Sequence, residues 1–200
     1  MKNFKKMMVL GALFGVFMAV IVPVGSASAK VTVVTKTFGR TDSYNYNQCP
    51  NGTWISGWKS CTYGCGWTII ASAKSKLRGA GYSPKVLWKK VSLSTLNSGM
   101  STSTLKSYAG KVGLSARSID KSAKSIASKI AEGGVVAVHK DHHWVLVYKA
   151  KSKFYYETKT KKYKYKSTDC FYVEDPGHSN IRGKCKAYSS SGVNDAILLK

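Results

Sequence analysis

The sequence predicts an α+β fold, in which helices precede an antiparallel sheet. Apolar residues recur with helical spacing after Cys65, Leu105 and Ala123, and each of these runs ends at a glycine. Beyond Gly134 the period changes to that of β-strands, and short apolar segments follow one another to the C-terminus. Because the helices come first and the strands follow as neighbours in sequence, we expect N-terminal helices packed on a C-terminal antiparallel sheet.

Glycine, serine and proline mark the ends of the predicted helices. The helix that begins at Cys65 ends at Gly79, and Ser83 followed by Pro84 is typical of an N-cap and first helical residue. The polar stretch 92–101 is assigned no element. Two further helices are predicted to pack on the core through apolar stripes, which comprise Leu105, Tyr108, Ala109 and Val112, and Ala123, Ile126, Ala127 and Ile130.

Strands are predicted at both ends of the chain. Valines at 31–34 indicate a short N-terminal strand, and 44–57 is rich in Asn, Gly and Trp, which is typical of a loop. The run 135–138 is apolar throughout and fits a central strand, and 143–148 is the next strand, with His143, Val145 and Val147 on one face. Further strands are predicted at 154–156, 163–166, 171–173 and 196–199.

The first 29 residues have the pattern of a secretory signal peptide. Three lysines precede an apolar run from 7 to 24, and Ala27-Ser28-Ala29 fits the cleavage site, so Lys30 is predicted to begin the mature chain. A retained membrane anchor is the alternative, because about 18 apolar residues are near the shortest stretch that spans a bilayer. Residues 30–200 are predicted to form one domain, secreted or associated with the cell wall.

The chain is strongly basic, with a formal net charge of +23. Loss of Lys2, Lys5 and Lys6 with the signal peptide would leave +20 on the mature domain. Such a surface favours anionic partners such as wall polymers or membrane surfaces, although a merely solvated surface is the alternative interpretation. The lysines are dispersed rather than arranged in a base-reading motif, so we expect no specific nucleic acid partner, and we expect a monomer.

Five cysteines in a secreted chain leave at least one thiol outside the disulfides. Five choices of free thiol with three pairings each allow about 15 arrangements. If Cys65 is free, short loops favour Cys49 with Cys61 and Cys170 with Cys185. Each such bridge contributes about 3 kcal/mol in the chain-entropy model.

A nucleophilic site is predicted from three well-separated parts of the chain. Cys65 lies in the first turn of a helix, where the helix dipole favours a thiolate, although a buried or disulfide-bonded cysteine is the alternative. His143 begins a strand and Asp175 ends a later one, so the fold can assemble a Cys-His-Asp site. Gln48, upstream of the thiol, is the candidate for a side-chain donor to the oxyanion.

Other histidines compete with His143 for the role of base. His139, His142 and His178 are alternatives, but the strand alternation favours His143. A metal site from His139, Asp141, His142 and His143 is disfavoured, because the spacing is irregular and lacks a helical His-x-x-x-His pair. We therefore expect neither a metal nor another cofactor.

At these positions the chain resembles a known family, the secreted stand-alone relatives of the double-glycine-leader cysteine peptidases, which are family 39 of the papain-like clan. The resemblance extends from about Tyr44 to Gly177 and implies a papain-like fold with Cys65 as nucleophile, His143 as base, Asp175 as its orienting group and Gln48 as oxyanion donor. It rests on Gln48 with Trp54 downstream, Gly64-Cys65-Gly66-x-Thr68, Glu132-Gly133-Gly134-Val135-Val136, His143-Trp144-Val145-Leu146-Val147 and Phe171-Tyr172-Val173-x-Asp175-Pro176-Gly177.

Together these patterns favour a secreted cysteine peptidase that acts on a peptide or protein. The alternative from another class is a non-catalytic, disulfide-bonded cationic domain that binds anionic cell-wall polymers. A wall-peptide hydrolase of the NlpC type is a second enzymatic alternative, but its Asp-Cys-Ser-Gly motif is absent.

Overall fold

The computed structural model describes residues 32–49, 57, 59–157, 160–178 and 182–200. Within them the chain is a mixture of helices and antiparallel strands, so the predicted α+β class is confirmed. The predicted signal peptide and Trp54 lie outside the described residues.

Along the sequence, the helices come after the first strand and before residue 135, where the main strands of the sheet begin. Helices α2, α3, α5 and α6 agree with the prediction, whereas α4 falls in the polar stretch to which no element was assigned. Their bounds are α1 Ser60–Tyr63, α2 Cys65–Arg78, α3 Pro84–Trp88, α4 Leu93–Asn97, α5 Thr102–Lys111 and α6 Ala123–Ala131.

The strands are fewer and longer than predicted after residue 142. The segments 143–148 and 154–156 belong to one strand, and 163–166 and 171–173 belong to another, so their prediction as separate strands is wrong. The bounds are β1 Thr32–Gly39, β2 Ala116–Ser118, β3 Val135–Lys140, β4 His143–Glu157, β5 Lys162–Glu174, β6 Cys185–Lys186 and β7 Val193–Leu199.

Local sequence explains where the helices begin and end. Helices α3 to α6 each follow a serine whose hydroxyl accepts a hydrogen bond from a backbone N–H of the first turn, which satisfies a donor that has no partner within the helix. Helix α2 ends at Gly79, which adopts a left-handed conformation with φ of 68°. The cap of α4 shows why a short polar segment can be helical.

The described strands form one antiparallel sheet in the order β2-β7-β3-β4-β5-β6, and β1 also pairs with β4. Strand β4 is long enough to have two partners along one edge, with β3 beside its first residues and β1 beside 149–156. Its other edge pairs with β5 from Leu146 to Glu157, and this brings the beginning of β4 next to the end of β5. Catalytic candidates at those two strand ends are therefore neighbours.

Each face of the sheet packs against helices. On one face, Trp144, Leu146 and Tyr148 join the apolar residues of α2, α3 and α5 in a buried cluster. On the other face, Val147 and Ala150 pack with α6. A bulge between Val147 and Lys149 shifts the register, so the residues that face α6 change from odd to even numbers along β4.

A two-residue turn joins β3 to β4 and fixes where His143 lies. Lys140 pairs with His143, and the intervening Asp141 and His142 have φ of 49° and 62°. Positive φ at both central residues is typical of the type I′ turn, whose twist matches that of the flanking strands. The turn makes His143 the first residue of β4 and leaves His142 exposed.

Two disulfides have the predicted pairing. Cys49 is bonded to Cys61 and Cys170 to Cys185, with Cα–Cα distances of 4.8 and 5.3 Å, and Cys65 is free. In the part of the chain that the structure describes, none of the helices has the length and apolarity needed to cross a bilayer.

Candidate active site

Cys65 is the first residue of α2, and close packing requires glycine on both sides of it. A Cβ on Gly64 would collide with the carbonyl oxygen of Ser60 and lie 3.0 Å from Cβ of Gln48. A Cβ on Gly66 would collide with the side chain of Met100. The thiol is thus held at the start of a buried helix in a tight turn, and Cys65 itself is only 8% exposed.

Thr68 stabilises the turn that presents the thiol. Its side-chain hydroxyl donates a hydrogen bond to the carbonyl oxygen of Gly64 at 2.8 Å, and its backbone N–H donates to the same oxygen at 2.9 Å. These bonds fix the peptide immediately before Cys65. They give a physical reason for the Gly-Cys-Gly-x-Thr spacing seen in the sequence.

His143 and Asp175 form a hydrogen-bonded pair at the adjoining ends of β4 and β5. Nε2 of His143 lies 2.7 Å from Oδ1 of Asp175. The same carboxylate oxygen accepts hydrogen bonds from the backbone N–H groups of Gly177 and His178 at 2.9 and 3.1 Å. These contacts orient the carboxylate towards the imidazole, as an orienting group requires.

The electrostatics of the pair favour an imidazolium beside a carboxylate. The hydrogen bond to Asp175, and next the interaction with the Cys65 thiol, raise the pKa of His143 to about 9, although burial opposes the rise. Burial raises the pKa of Asp175, but the hydrogen bond and charge of His143 outweigh it and hold that pKa below its ordinary value. Both partners therefore favour the charged pair.

The thiol and the imidazole interact across the junction of α2 and β4. The Cys65 thiol contributes to the raised pKa of His143, so the two side chains lie close enough to interact. Because Nε2 of His143 faces Asp175, the opposite ring nitrogen is the one available to the thiol. A Cβ on Gly66 would lie 3.3 Å from Trp144, which shows how closely the beginnings of α2 and β4 approach.

Gln48 lies close to the turn that precedes Cys65. It is 5% exposed, its backbone N–H donates to the Pro176 carbonyl oxygen at 3.1 Å, and its Nε2 donates to the Cys61 carbonyl oxygen at 2.7 Å. Its Oε1 is buried and has no hydrogen-bond partner among the described residues. Gln48 therefore bridges the turn after Asp175 and helix α1, just before Cys65, and one of its two amide hydrogens is not used by Cys61.

The site also rests on a buried ion pair that the sequence analysis missed. Nζ of Lys76 lies 3.7 Å from Oε2 of Glu174, and both side chains are fully buried. Oε1 of Glu174 accepts a hydrogen bond from the Ser72 hydroxyl at 2.5 Å and one from the backbone N–H of Tyr46 at 2.7 Å. Burial raises the pKa of Glu174 to about 7 and lowers the pKa of Lys76.

This ion pair connects the three parts of the chain that carry the candidate residues. Lys76 belongs to the Cys65 helix, and Glu174 immediately precedes Asp175. Nζ of Lys76 also donates to the Ser43 carbonyl oxygen at 2.5 Å and to Oδ1 of Asn45 at 2.9 Å, in the segment that leads to Gln48. No local pattern marked either residue, because a single lysine in a helix is usually solvated.

The other histidines lie in three different surroundings. His139 is stacked on Trp144 with ring centroids 4.5 Å apart, and its Nδ1 lies 3.7 Å from Oδ2 of Asp195. His142 is in the β3–β4 turn, whereas His178 contacts Asp175, with Nδ1 3.1 Å from Oδ2. Among the described residues, the group of ligand atoms close enough to hold a metal comprises His143, Asp175 and His178, not the four-residue group considered from the sequence.

A groove of about 400 Å³ opens beside this cluster. His143, Asp175 and His178 lie along it, and the lining also includes Val138, Val145, Val147, Val173 and Val193. His143, Val145 and Val147 therefore share one face of β4, as the strand alternation predicted. The groove gives solvent access to the imidazole and the carboxylate.

Comparisons with family models, curated proteins and solved structures found no match to this chain.

Iodoacetamide at pH 6 is expected to alkylate Cys65 and none of the other four cysteines. At this pH His143 is an imidazolium whose positive charge beside Cys65 should favour alkylation, and the other sulfurs are in disulfides. Peptide mapping under non-reducing conditions measures the labelling, and the His143→Ala protein, which lacks the cation, should react more slowly. Recovery of Cys65 in a disulfide-linked peptide would contradict the expectation.

Proposed function

We propose that this chain is a secreted cysteine peptidase. The observation that carries the proposal is a free cysteine at a helix N-terminus interacting with a histidine whose far nitrogen is 2.7 Å from a carboxylate. In this assignment Cys65 is the nucleophile, His143 is the general base and acid, and Asp175 orients His143. The three residues come from α2 and from the ends of β4 and β5, so their arrangement depends on the folded chain.

Acylation of Cys65 is the first step of the proposed reaction. The Sγ atom attacks the carbonyl carbon of the scissile peptide bond, and the thiol proton resides on His143. Asp175 stabilises the resulting imidazolium. The tetrahedral intermediate then collapses, the C–N bond breaks, and the leaving amine takes its proton from His143.

Deacylation returns the site to its starting state. Water attacks the thioester carbon, His143 accepts the proton of the water, and the peptide acid leaves as the Cys65 sulfur regains its proton. In both steps the oxyanion needs preorganised donors. The backbone N–H of Cys65 and the Nε2 hydrogen of Gln48 that does not bond to Cys61 are the donors we assign to it.

The proposal includes the finer fold assignment and the location. The order of the motifs, the Cys65 helix packed on an antiparallel sheet and the His-Asp pair at strand ends support a papain-like fold. Two disulfides support an oxidising compartment, and the N-terminal sequence pattern supports secretion after cleavage following Ala29.

Cleavage of a diverse peptide mixture by residues 30–200 tests the proposed activity. We expect products that are absent when Cys65→Ala replaces the mature wild-type protein, and alkylation of the wild type should abolish them. Mass spectrometry of the new termini would identify the bonds cleaved. A product pattern identical in the two proteins, or none at all, would overturn the peptidase proposal.

Gln48→Ala is expected to lower kcat by about 100- to 1,000-fold, because the oxyanion loses a preorganised donor. Since Gln48 also bonds to Cys61, Gln48→Glu is the matched variant that preserves size while removing the amide donor. Both variants should retain the alkylation of Cys65. Wild-type kcat in Gln48→Glu would show that this side chain does not stabilise the oxyanion.

We also propose that charge holds the protein on anionic surfaces such as cell walls. Lysines are exposed on both strands of the hairpin formed by residues 149–157 and 160–172; they are Lys151, Lys162, Lys164 and Lys166. A cationic binding domain without catalysis, the second candidate function, would use the same lysines.

Retention on isolated bacterial walls is expected at low salt, with release at about 0.5 M NaCl, because the screening length falls well below 10 Å. Replacing Lys162, Lys164 and Lys166 by serine should lower the salt concentration needed for release. The matched control replaces the exposed Lys85, Lys89 and Lys90, which removes the same charge elsewhere. Retention that is unchanged across the salt range would indicate an uncharged receptor.

A further inference from the structure

His178 is a second imidazole on the carboxylate of Asp175, and the proposed peptidase chemistry does not use it. Its Nδ1 lies 3.1 Å from Oδ2 of Asp175, whereas His143 occupies Oδ1. The two imidazole rings meet edge to face, with centroids 5.7 Å apart. One carboxylate between two imidazoles, at the side of an open groove, is a set of metal ligands.

We propose that His143, Asp175 and His178 form a zinc site. One ligand atom from each residue lies within 4.8 Å of the other two. Zinc bonds of about 2.0 to 2.1 Å place tetrahedral ligands about 3.4 Å apart. The His143 and Asp175 atoms, now 2.7 Å apart, must therefore separate slightly, and any pair near the 4.8 Å limit must close. The strand ends hold His143 and Asp175, while the His178 side chain is 66% exposed and can rotate towards them.

The donor set favours zinc over the common hard cations. Two imidazole nitrogens and one carboxylate suit Zn²⁺, whereas Mg²⁺ and Ca²⁺ prefer ligand sets made of oxygen. Because the groove is open to solvent, water can supply the fourth ligand. On binding, Zn²⁺ replaces the proton between His143 Nε2 and Asp175, and this proton is released to solvent.

Zinc in this position would inhibit the peptidase. With Nε2 bound to the metal, the carboxylate no longer orients the imidazole for proton transfer to and from Cys65. This inhibitory role rests on the proposed function, but the binding itself does not. A metal between the Cys65 thiolate and the other nitrogen of His143 is the rival site, and the two sites require different residues.

Titration calorimetry of Zn²⁺ into the Cys65→Ser protein tests the site without any activity. We expect one equivalent to bind, and we expect His178→Gln in the same background to weaken binding by at least about tenfold. His142→Gln is the matched control, because His142 is exposed in the turn just before His143, and it should bind like its parent. Mg²⁺ should give no binding heat.

Loss of zinc binding in Cys65→Ser, or unchanged affinity in His178→Gln, would overturn the proposal in favour of the rival site or of none. Co²⁺ gives a second readout on the wild-type protein: we expect visible d–d bands without a thiolate charge-transfer band. A strong thiolate band would place the metal on Cys65. Zinc binding without peptide cleavage would refute the peptidase alone, and cleavage that persists under saturating zinc would refute the inhibitory role alone.

Discussion

Cys65→Ala and His143→Ala should each lower kcat/KM by about 10⁴-fold or more on any peptide that the wild-type protein cleaves. The double variant should be hardly worse than Cys65→Ala, because residues that act as one unit are strongly non-additive. Asp175→Asn should retain more activity than either, since it alters the orientation of the base rather than removing it. Steady-state kinetics with a peptide found by cleavage profiling measures all four.

His142→Ala is the matched control for this series. His142 is exposed in the β3–β4 turn, so its loss should leave most of the activity. Full activity in His143→Ala combined with loss in His142→Ala would show that His142, not His143, is the base. Full activity in Cys65→Ala would end the cysteine-peptidase hypothesis.

Lys76→Ala should destabilise the protein by about 3 to 5 kcal/mol, because it leaves the Glu174 carboxylate buried without its cation. For a domain of this size that corresponds to a fall in Tm of about 6 to 20 °C, measured by thermal unfolding. Lys129→Ala is the control, because it breaks the exposed pair with Glu132 and should change Tm little. An equal fall in Tm in both variants would show that burial does not make the Lys76–Glu174 pair more important for stability than the exposed pair.

The double variant Lys76→Met with Glu174→Leu separates stability from positioning. Replacing both charges by apolar side chains should recover much of the lost stability. It should not recover kcat/KM, because the bonds from Lys76 to Ser43 and Asn45 and from Glu174 to Tyr46, which hold the segment before Gln48, are gone. Recovery of both quantities would show that the ion pair has no positioning role.

The Cys65 helix and the two disulfides could be predicted because short stretches of sequence indicate them. The glycines on either side of Cys65 and at residue 79 reflect steric demands of the backbone itself, so they are legible in the sequence. The bridges join cysteines only 12 and 15 residues apart, and short separations favour local pairing. The assignment of His143 followed from strand alternation, and its hydrogen bond to Asp175 is as expected.

The continuity of β4 was not predictable in the same way. The residues that face inward in its middle are Ala150 and Ser152, both fully buried but too small or polar to give an apolar signal between the lysines at 149, 151 and 153. The bulge near Val147 also interrupts the alternation on which strand prediction relies. Helix α4 escaped prediction because its core contribution is a single buried leucine, Leu96.

The roles of Lys76, Glu174 and His178 could not be predicted, because they depend on contacts that form only in the folded chain. Lys76 and Glu174 become partners only when the helix packs across the sheet. His178 was considered only as a rival base. Its contact with Asp175 depends on the tight bend after β5. There the carboxylate accepts hydrogen bonds from the backbone N–H groups of Gly177 and His178.

The Cys49–Cys61 disulfide must stay oxidised, whereas the thiol of Cys65 must stay reduced for the proposed catalysis. The bridge ties the residue after Gln48 to helix α1, just before Cys65, so a strong reductant would release the segment that carries the proposed oxyanion donor. A strong oxidant would convert the thiol of Cys65 to a sulfenic acid or a mixed disulfide. The proposed catalysis would therefore be confined to an intermediate range of redox potential, and more reducing or more oxidising surroundings would inactivate the protein.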